Sequence, residues 1–446
     1  MLLTFRWFAF TLVSVALLLL AGLLPFLLPV VVLYSLAVLA VTLLDWRAAG
    51  HGNQFHVERA YEQKLSLGVP NPVTLTVVSR APRPSVVTVR DEPPQNFVLV
   101  GEVQQDLHLE PRDPGILSYA VRPLQRGDYR FGNINLRWPG PLGMCIRQTI
   151  IRAAAPVKVY PNIYEIRRYE LLVRRDQLAE MGLRNVRARG EGTAFESLRD
   201  YTPDDPYRSI NWKATARRGK PISMQYEPER SQRIIIMLDV GRMMRSAIHT
   251  RSDDGAMLTM AKVDFVINST LLLSYVAARK GDQVGLLVFA DQVKHFVPPA
   301  PGGAQFQRLL EVMYALGSEP VEADYKGAIS YLKAYYKKRA LIVLFTDLSG
   351  ARAGEALLAH LPRLAPHHLP LMVTIRDPVL DDAAHRQPIT SDLVYRRAVA
   401  EQLIDERRLL LEHLQRQGVF TLDVDARRLS SEVVNRYLEL KGRMLV

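Results

Sequence analysis

The chain has 446 residues, 48% of them hydrophobic, and a formal net charge of +12. That length exceeds one ordinary core, so two or more soluble domains are expected. The charge suits an anionic membrane surface, an acidic partner or nucleic acid and is silent on fold, while the single cysteine, Cys145, excludes an intramolecular disulfide and fits a reducing compartment.

From Phe5 to Leu44 the only charged side chain is Arg6. One straight helix over that stretch would be roughly 60 Å long, at about 1.5 Å per residue, twice the roughly 30 Å of a bilayer core. Residues 1–50 are therefore expected to form two transmembrane helices. The turn should fall between Gly22 and Pro29, where Gly22, Pro25 and Pro29 interrupt helix. A cleaved signal peptide is the competing reading, but the apolar run outlasts a normal signal core and shows no small-residue cleavage site. Charges flank only the outer ends, Arg6 on one side and Asp45 and Arg47 on the other. The positive-inside rule then places both termini in the cytoplasm of a two-pass inner-membrane protein.

Residues 51–161 read as an all-β, sandwich-like domain. Val73 to Val78 and Ser85 to Arg90 are β-branched runs, and prolines at 70, 72, 82, 84, 93 and 94 punctuate them. Residues 162–232 form a charged connector. Its arginines at 174, 175, 184, 187 and 189 precede a Gly-Glu-Gly turn and suit either a solvated helix face or contact with an acidic surface.

Residues 233–446 alternate strands and helices. Ile234 to Leu238, Val284 to Phe289, Leu341 to Phe345 and Leu371 to Ile375 are short apolar runs, as expected of strands covered on both faces. Helical segments such as Met260 to Arg279 and Phe306 to Leu316 lie between them, which predicts a mostly parallel, doubly wound α/β sheet.

The motifs of common hydrolases are missing. Gly219-Lys220 runs into Pro221 and lacks the rest of a phosphate loop, and neither Gly-x-Ser-x-Gly nor His-Glu-x-x-His occurs. Two strands end in carboxylates, Asp239 and the Thr346-Asp347 pair. At the carboxyl edge of a doubly wound sheet these aspartates can hold a hard divalent cation or cap the helices that follow. The segment Tyr201 to Lys213 is dense in side chains with defined geometry. Asp205-Pro206 has the form of a helix start, and Trp212 is expected in the core, packed on the first strands of the α/β domain.

Those residues carry a resemblance. Gly190 to Tyr201, the Asp204-Asp205-Pro206 turn, Arg208, and Ile210 to Arg217 resemble the signature of the domain-of-unknown-function 58 family. The blocks Arg126 to Gly132, Pro139 to Gly143 and Val157 to Pro161 resemble its upstream region. The resemblance implies a von Willebrand factor A-like domain, association with MoxR-type AAA+ ATPases, and no settled activity. It marks Arg199, Asp204, Asp205, Arg208, Trp212, Lys213 and Arg217 as a partner-binding or structural signature.

Domains of that type hold Mg²⁺ through Asp-x-Ser-x-Ser, a distant threonine and a later aspartate. Asp239 and Asp347 stand at the matching positions, but Gly241, Met243 and Ala323 replace the hydroxyl residues. Three of five ligands are thus absent, and no cofactor is expected. The sequence therefore reads as a non-enzymatic, membrane-anchored scaffold working with a MoxR-type ATPase and other envelope proteins. The alternative is a metal-dependent hydrolase using Asp239, Asp347 and Asp324. Nucleic-acid binding ranks last, because no reading motif accompanies the basic charge.

Overall fold

With almost no charge to solvate, the start of the chain folds into two apolar helices, α1 (Phe5–Leu23) and α2 (Leu28–Ala48). Pro25 opens a single 3₁₀ turn between them, and Pro29 sits in the first turn of α2, where its missing N–H costs nothing. Both helices are long and apolar enough to cross a membrane. Ser14 and Ser35 share a hydroxyl bond of 2.7 Å, and Tyr34 donates to the Phe10 carbonyl at 3.2 Å, so two polar links hold the hairpin together.

This computed structural model describes all residues except 1, 175–182, 184–193, 203–206, 208–209, 228–230, 252–254, 256, 349–350 and 444–446. The chain divides into two compact units, Met1–Tyr160 and Pro161–Val446.

In the first unit, residues 55–160 are β-rich. One sheet runs in the order Leu2–Leu3, Cys145–Ile151, Ile134–Pro139, Ser85–Asp91, Gln104–Leu109. A second has the order Phe55–Tyr61, Asn71–Ser79, Pro114–Pro123, Phe97–Val100. Alternation along Asn71–Ser79 turns Val73, Leu75 and Val77 inward. Leu75, Val77 and Leu117 of one sheet meet Val87, Val89, Ile134 and Leu136 of the other in one core.

The helical hairpin is built into this unit. Asp45, at the end of α2, is fully buried and accepts the N–H groups of Leu142, Met144 and Cys145 at 2.7, 2.8 and 3.1 Å. The turn leaves no room beside that carboxylate: a Cβ on Gly140 would lie 2.4 Å from Asp45 Cγ. Thr4, ahead of α1, donates to the Gly143 carbonyl at 2.6 Å, so both outer ends of the hairpin grip the same turn. Burial pushes the neighbouring Cys145 thiol up to about 11, which leaves it protonated and unreactive. The segments expected as separate domains, 1–50 and 51–161, therefore form one unit.

In the second unit a six-stranded sheet is formed by β1 (Arg233–Asp239), β2 (Gln283–Phe289), β3 (Val293–Ala300), β4 (Leu341–Phe345), β5 (Leu369–Ile375) and β6 (Phe420–Val424). Its order is β3-β2-β1-β4-β5-β6, parallel except for β3. Pro298 and Pro299 are tolerated in β3 because it is an edge strand.

The helices of this unit are α3 (Ile163–Arg174), α4 (Trp212–Arg218), α5 (Lys262–Arg279), α6 (Gly303–Ala315), α7 (Tyr325–Tyr335), α8 (Ala351–His360), α9 (Pro378–His385), α10 (Ser391–Arg416) and α11 (Leu429–Gly442). Alternate residues of β1 serve opposite faces. Ile235 and Met237 join the core formed with α7 and α8, while α5 buries nearly its whole length. The Asn162 N–H donates to Asn268 of α5 at 2.8 Å, and Tyr169 of α3 stands edge-on to Tyr275 of α5 at 6.1 Å. The expected connector, 162–232, is thus part of the α/β unit.

Candidate functional site

The register that pairs Leu238 with Phe345 brings the ends of β1 and β4 side by side, and with them Asp239, Thr346 and Asp347. All three are buried. Asp239 accepts the Gly241 N–H at 2.8 Å on one oxygen. On the other it accepts the Thr346 hydroxyl at 2.7 Å and lies 3.1 Å from the hydroxyl of Tyr325, the first residue of α7. Tyr325 is also 2.8 Å from Thr346 Oγ1. It carries one proton, which goes to either neighbour.

Among the described residues no basic side chain touches Asp239, and burial raises its pKa above the ordinary 3.8, although these hydrogen bonds work against the shift. Burial likewise pushes the Tyr325 phenol up, so that it acts as a neutral donor.

Asp347 has a cation. The ammonium of Lys262 lies 2.6 Å from Asp347 Oδ2, with only 3% and 2% of the two side chains exposed. Arg407 of α10 stands 3.7 Å from the other oxygen and also donates to Asp423 at 2.6 Å and to the Ile375 carbonyl at 2.9 Å. Beyond Arg407 a cavity of about 540 Å³ opens between α9 and α10, lined by Arg376, Asp377, Leu380, Leu403 and Asp423.

The loop before α7 closes over the turn that follows β1. Arg242 donates its N–H to the Val321 carbonyl, and Glu319 donates to that of Val240, both at 2.7 Å. A Cβ on Gly241 would stand 2.9 Å from the Val321 oxygen and 3.0 Å from Asp239 Oδ1, so a serine cannot enter at 241 without moving that loop.

The expected site residues thus separate. Asp239 and Asp347 come together. Asp324, next in the chain to Ala323, is exposed and caps α7 by accepting the Gly327 N–H at 2.9 Å. Among the described residues no group of three or more His, Cys, Asp and Glu side chains is placed to hold a metal ion. The donor set does not fit one either, because the best-placed carboxylate already faces an ammonium.

Of the signature residues, Asp204, Asp205, Arg208 and the Arg199 side chain lie outside the described residues. Lys213 and Arg217 are exposed on α4. Trp212 is not in the core: it is 58% exposed and stands edge-on to Tyr207 at 5.6 Å. The seven-residue α4 buries no residue, and it is tied to the strand Ile222–Glu227 by the Ile222 N–H donating to Thr215 at 3.0 Å. Sequence reasoning missed Lys262, Tyr325 and Arg407. Only Lys262 carried a signal, as a cation opening an apolar helix.

Residues 197–383 match the family described as "Protein of unknown function DUF58". "Uncharacterized protein YeaD" of Bacillus subtilis (strain 168) is 25% identical over 123 residues, which are 28% of this chain and 30% of that protein. The chain therefore spans under a third of that relative's length. Among solved structures, the conserved hypothetical protein BatB from Bacteroides thetaiotaomicron is 11% identical over 48% of this chain and 99% of its own, with a TM-score of 0.28. Proximal thread matrix protein 1 of the mussel byssus is 9% identical over 48% and 46%, with a TM-score of 0.26. Scores this low do not define a common fold.

Proposed function

We infer that this chain, whose residues 197–383 match the DUF58 family, is a membrane-anchored scaffold rather than an enzyme. Its α/β unit acts as a von Willebrand factor A-like domain that docks protein partners on the carboxyl edge of the sheet. The hairpin crosses the inner membrane twice with both ends in the cytoplasm, and a MoxR-type AAA+ ATPase is the proposed partner, as the family resemblance implies.

One observation carries the non-enzymatic reading: the buried carboxylates at the edge are engaged by the protein's own groups, Asp239 by an N–H and a hydroxyl, Asp347 by Lys262. Neither is left poised as a base or nucleophile. A hydrolase using Asp239, Asp347 and Asp324 has less support, because Asp324 caps a helix.

The carboxyl edge also presents charge to solvent. Arg242, in the turn after β1, pairs with Glu322 at 3.2 Å, both well exposed. Docking through this edge predicts that the detergent-solubilised chain binds a purified MoxR-type ATPase of the same organism, and that Arg242→Glu weakens binding about tenfold or more by opposing charge. Equal binding by the variant removes the edge from the account, and no binding by the wild type removes the partner. Topology is tested separately: a reporter fused after Gly50 should read cytoplasmic, and a periplasmic signal overturns the assigned orientation.

A further inference from the structure

Charge in the α/β unit is balanced on its longest helix and unbalanced on its shortest. On α10 the arginines pair with carboxylates one turn away, Arg396 with Asp392, Arg397 with Glu401 and Arg416 with Glu412, as on an ordinary solvated face. Residues 207–220, which hold α4, carry five basic side chains and no acidic one. None of Lys213, Arg217, Arg218 and Lys220 has an ion-pair partner among the described residues, and all four are exposed. Beside them stands the edge-on pair of Tyr207 and Trp212, itself largely in solvent.

The patch is held in a fixed form. Asn211 caps α4 by accepting the Ala214 N–H at 3.0 Å, and its own N–H donates to the Ile222 carbonyl at 2.8 Å. Gly219, at a φ of 69°, closes the other end. With Thr215 turned to the ribbon, Trp212 and Ala216 lie one turn apart on the exposed side, and Lys213 and Arg217 run beside them.

Aromatic rings with one wet edge, next to unpaired cations, suit the headgroup level of a bilayer. We propose that this patch rests on the anionic lipid headgroups of the membrane in which the chain is anchored, an inference that depends on the membrane-anchored reading above. The cytoplasmic leaflet is the anionic one, and each basic side chain near it strengthens binding about fivefold. Four such cations make a weak contact for a free domain. They suffice for one already tethered to the same bilayer, where the second encounter is intramolecular. An acidic protein offers the same charge but not that permanent proximity, so the bilayer is the favoured partner.

The test places a fluorophore on the patch through Ala216→Cys in the full-length chain; the native Cys145 is buried and does not compete. The labelled chain is put in nanodiscs of phosphatidylcholine alone or with about 30% phosphatidylglycerol, and quenching by neutral acrylamide reads how far the label is covered. At low salt, quenching should be about threefold weaker or less in the anionic discs, and the difference should vanish at about 1 M salt, where the attraction is screened. Lys213→Glu with Arg217→Glu should erase it too, without loss of stability, because neither side chain is paired in the fold. Equal quenching in both lipids overturns the inference, as does a difference that survives both high salt and the double variant. A label exposed in both lipids but covered by added polyglutamate assigns the patch to an acidic protein and overturns it equally. A chain that does not enter the discs shows instead that the hairpin is no anchor, and the inference falls with that reading.

Discussion

Asp91 in the first unit and Asp347 in the second are both buried against a basic side chain, but their surroundings differ. Asp91 takes two bonds from Arg59, a hydroxyl from Tyr119 at 2.6 Å and the Glu92 N–H at 2.8 Å. Arg59 spends two more donors on the carbonyls of Gly132 and Ala153 at 3.0 and 2.9 Å. The pair locks strands of two different sheets in one core. Asp347 meets Lys262 at a strand end, with Arg407 as a more distant second cation. A buried pair saturated on both sides is a joint. A buried pair at a strand end, with a second cation 3.7 Å from the same carboxylate, depends less on any one partner.

The comparison breaks most visibly at the joint. Removing one partner of a buried pair leaves an uncompensated charge, at about 3–5 kcal/mol. Arg59→Ala should therefore destabilise the β-rich unit by that amount and speed hydrogen exchange in strands Phe55–Tyr61 and Ser85–Asp91. If exchange there is unchanged, the saturated pair is no joint. Asp45→Ala strips the acceptor from three backbone N–H groups. At about 1–3 kcal/mol per orphaned buried group, lowered by any water that enters, the loss should be about 3 kcal/mol. Exchange at Leu142, Met144 and Cys145 should rise with it, and protected amides would contradict the clamp.

The edge is sharpened by pH. Burial raises the native pKa of Asp239 above 3.8, so the folded chain holds this proton more tightly than the unfolded one. The stability this group contributes is fully present below about 3.8 and is lost as pH rises from there through the native value. Asp239→Asn is neutral throughout and should flatten that part of the profile in denaturant midpoints taken from about pH 4 to 7. Parallel profiles for variant and wild type would exclude the effect. The smallest change is expected at Trp212→Ala, within about 0.5 kcal/mol, because the side chain is largely in solvent. A loss near that of a core aromatic would mean that Trp212 packs more deeply than its exposure indicates.

What the sequence made legible follows from pattern. An uncharged run longer than a bilayer is thick gives the hairpin, and alternating β-branched runs give strands such as Asn71–Ser79. Four of the six strands of the α/β sheet are continuous apolar runs. β3 and β6 were not legible, one carrying two prolines and the other the polar alternation Phe-Thr-Leu-Asp-Val. Asp239 and Asp347 were visible as strand ends, but whether they faced a metal or a helix depended on a lysine distant in sequence. Lys262 shows in the sequence only as a cation opening an apolar helix, and its partner is unknown until the fold brings it to Asp347. Asp45 looked like a charge flanking a membrane span, although its role is to hold a turn about a hundred residues away. Trp212 misled because its size suggests burial, whereas a seven-residue helix with four polar or charged side chains offers no core to enter.

The docking edge is the central claim, and site-specific photo-crosslinking in intact cells tests it most directly. A photoreactive residue at Arg242 lies at the carboxyl edge of the sheet, and one at Lys280 lies at the opposite end, just before β2; both positions are exposed. The account predicts discrete protein adducts from position 242, among them a MoxR-type ATPase, undiminished when divalent ions are chelated, and none of these from position 280. Adducts confined to position 280, or lost from position 242 on chelation, would contradict it.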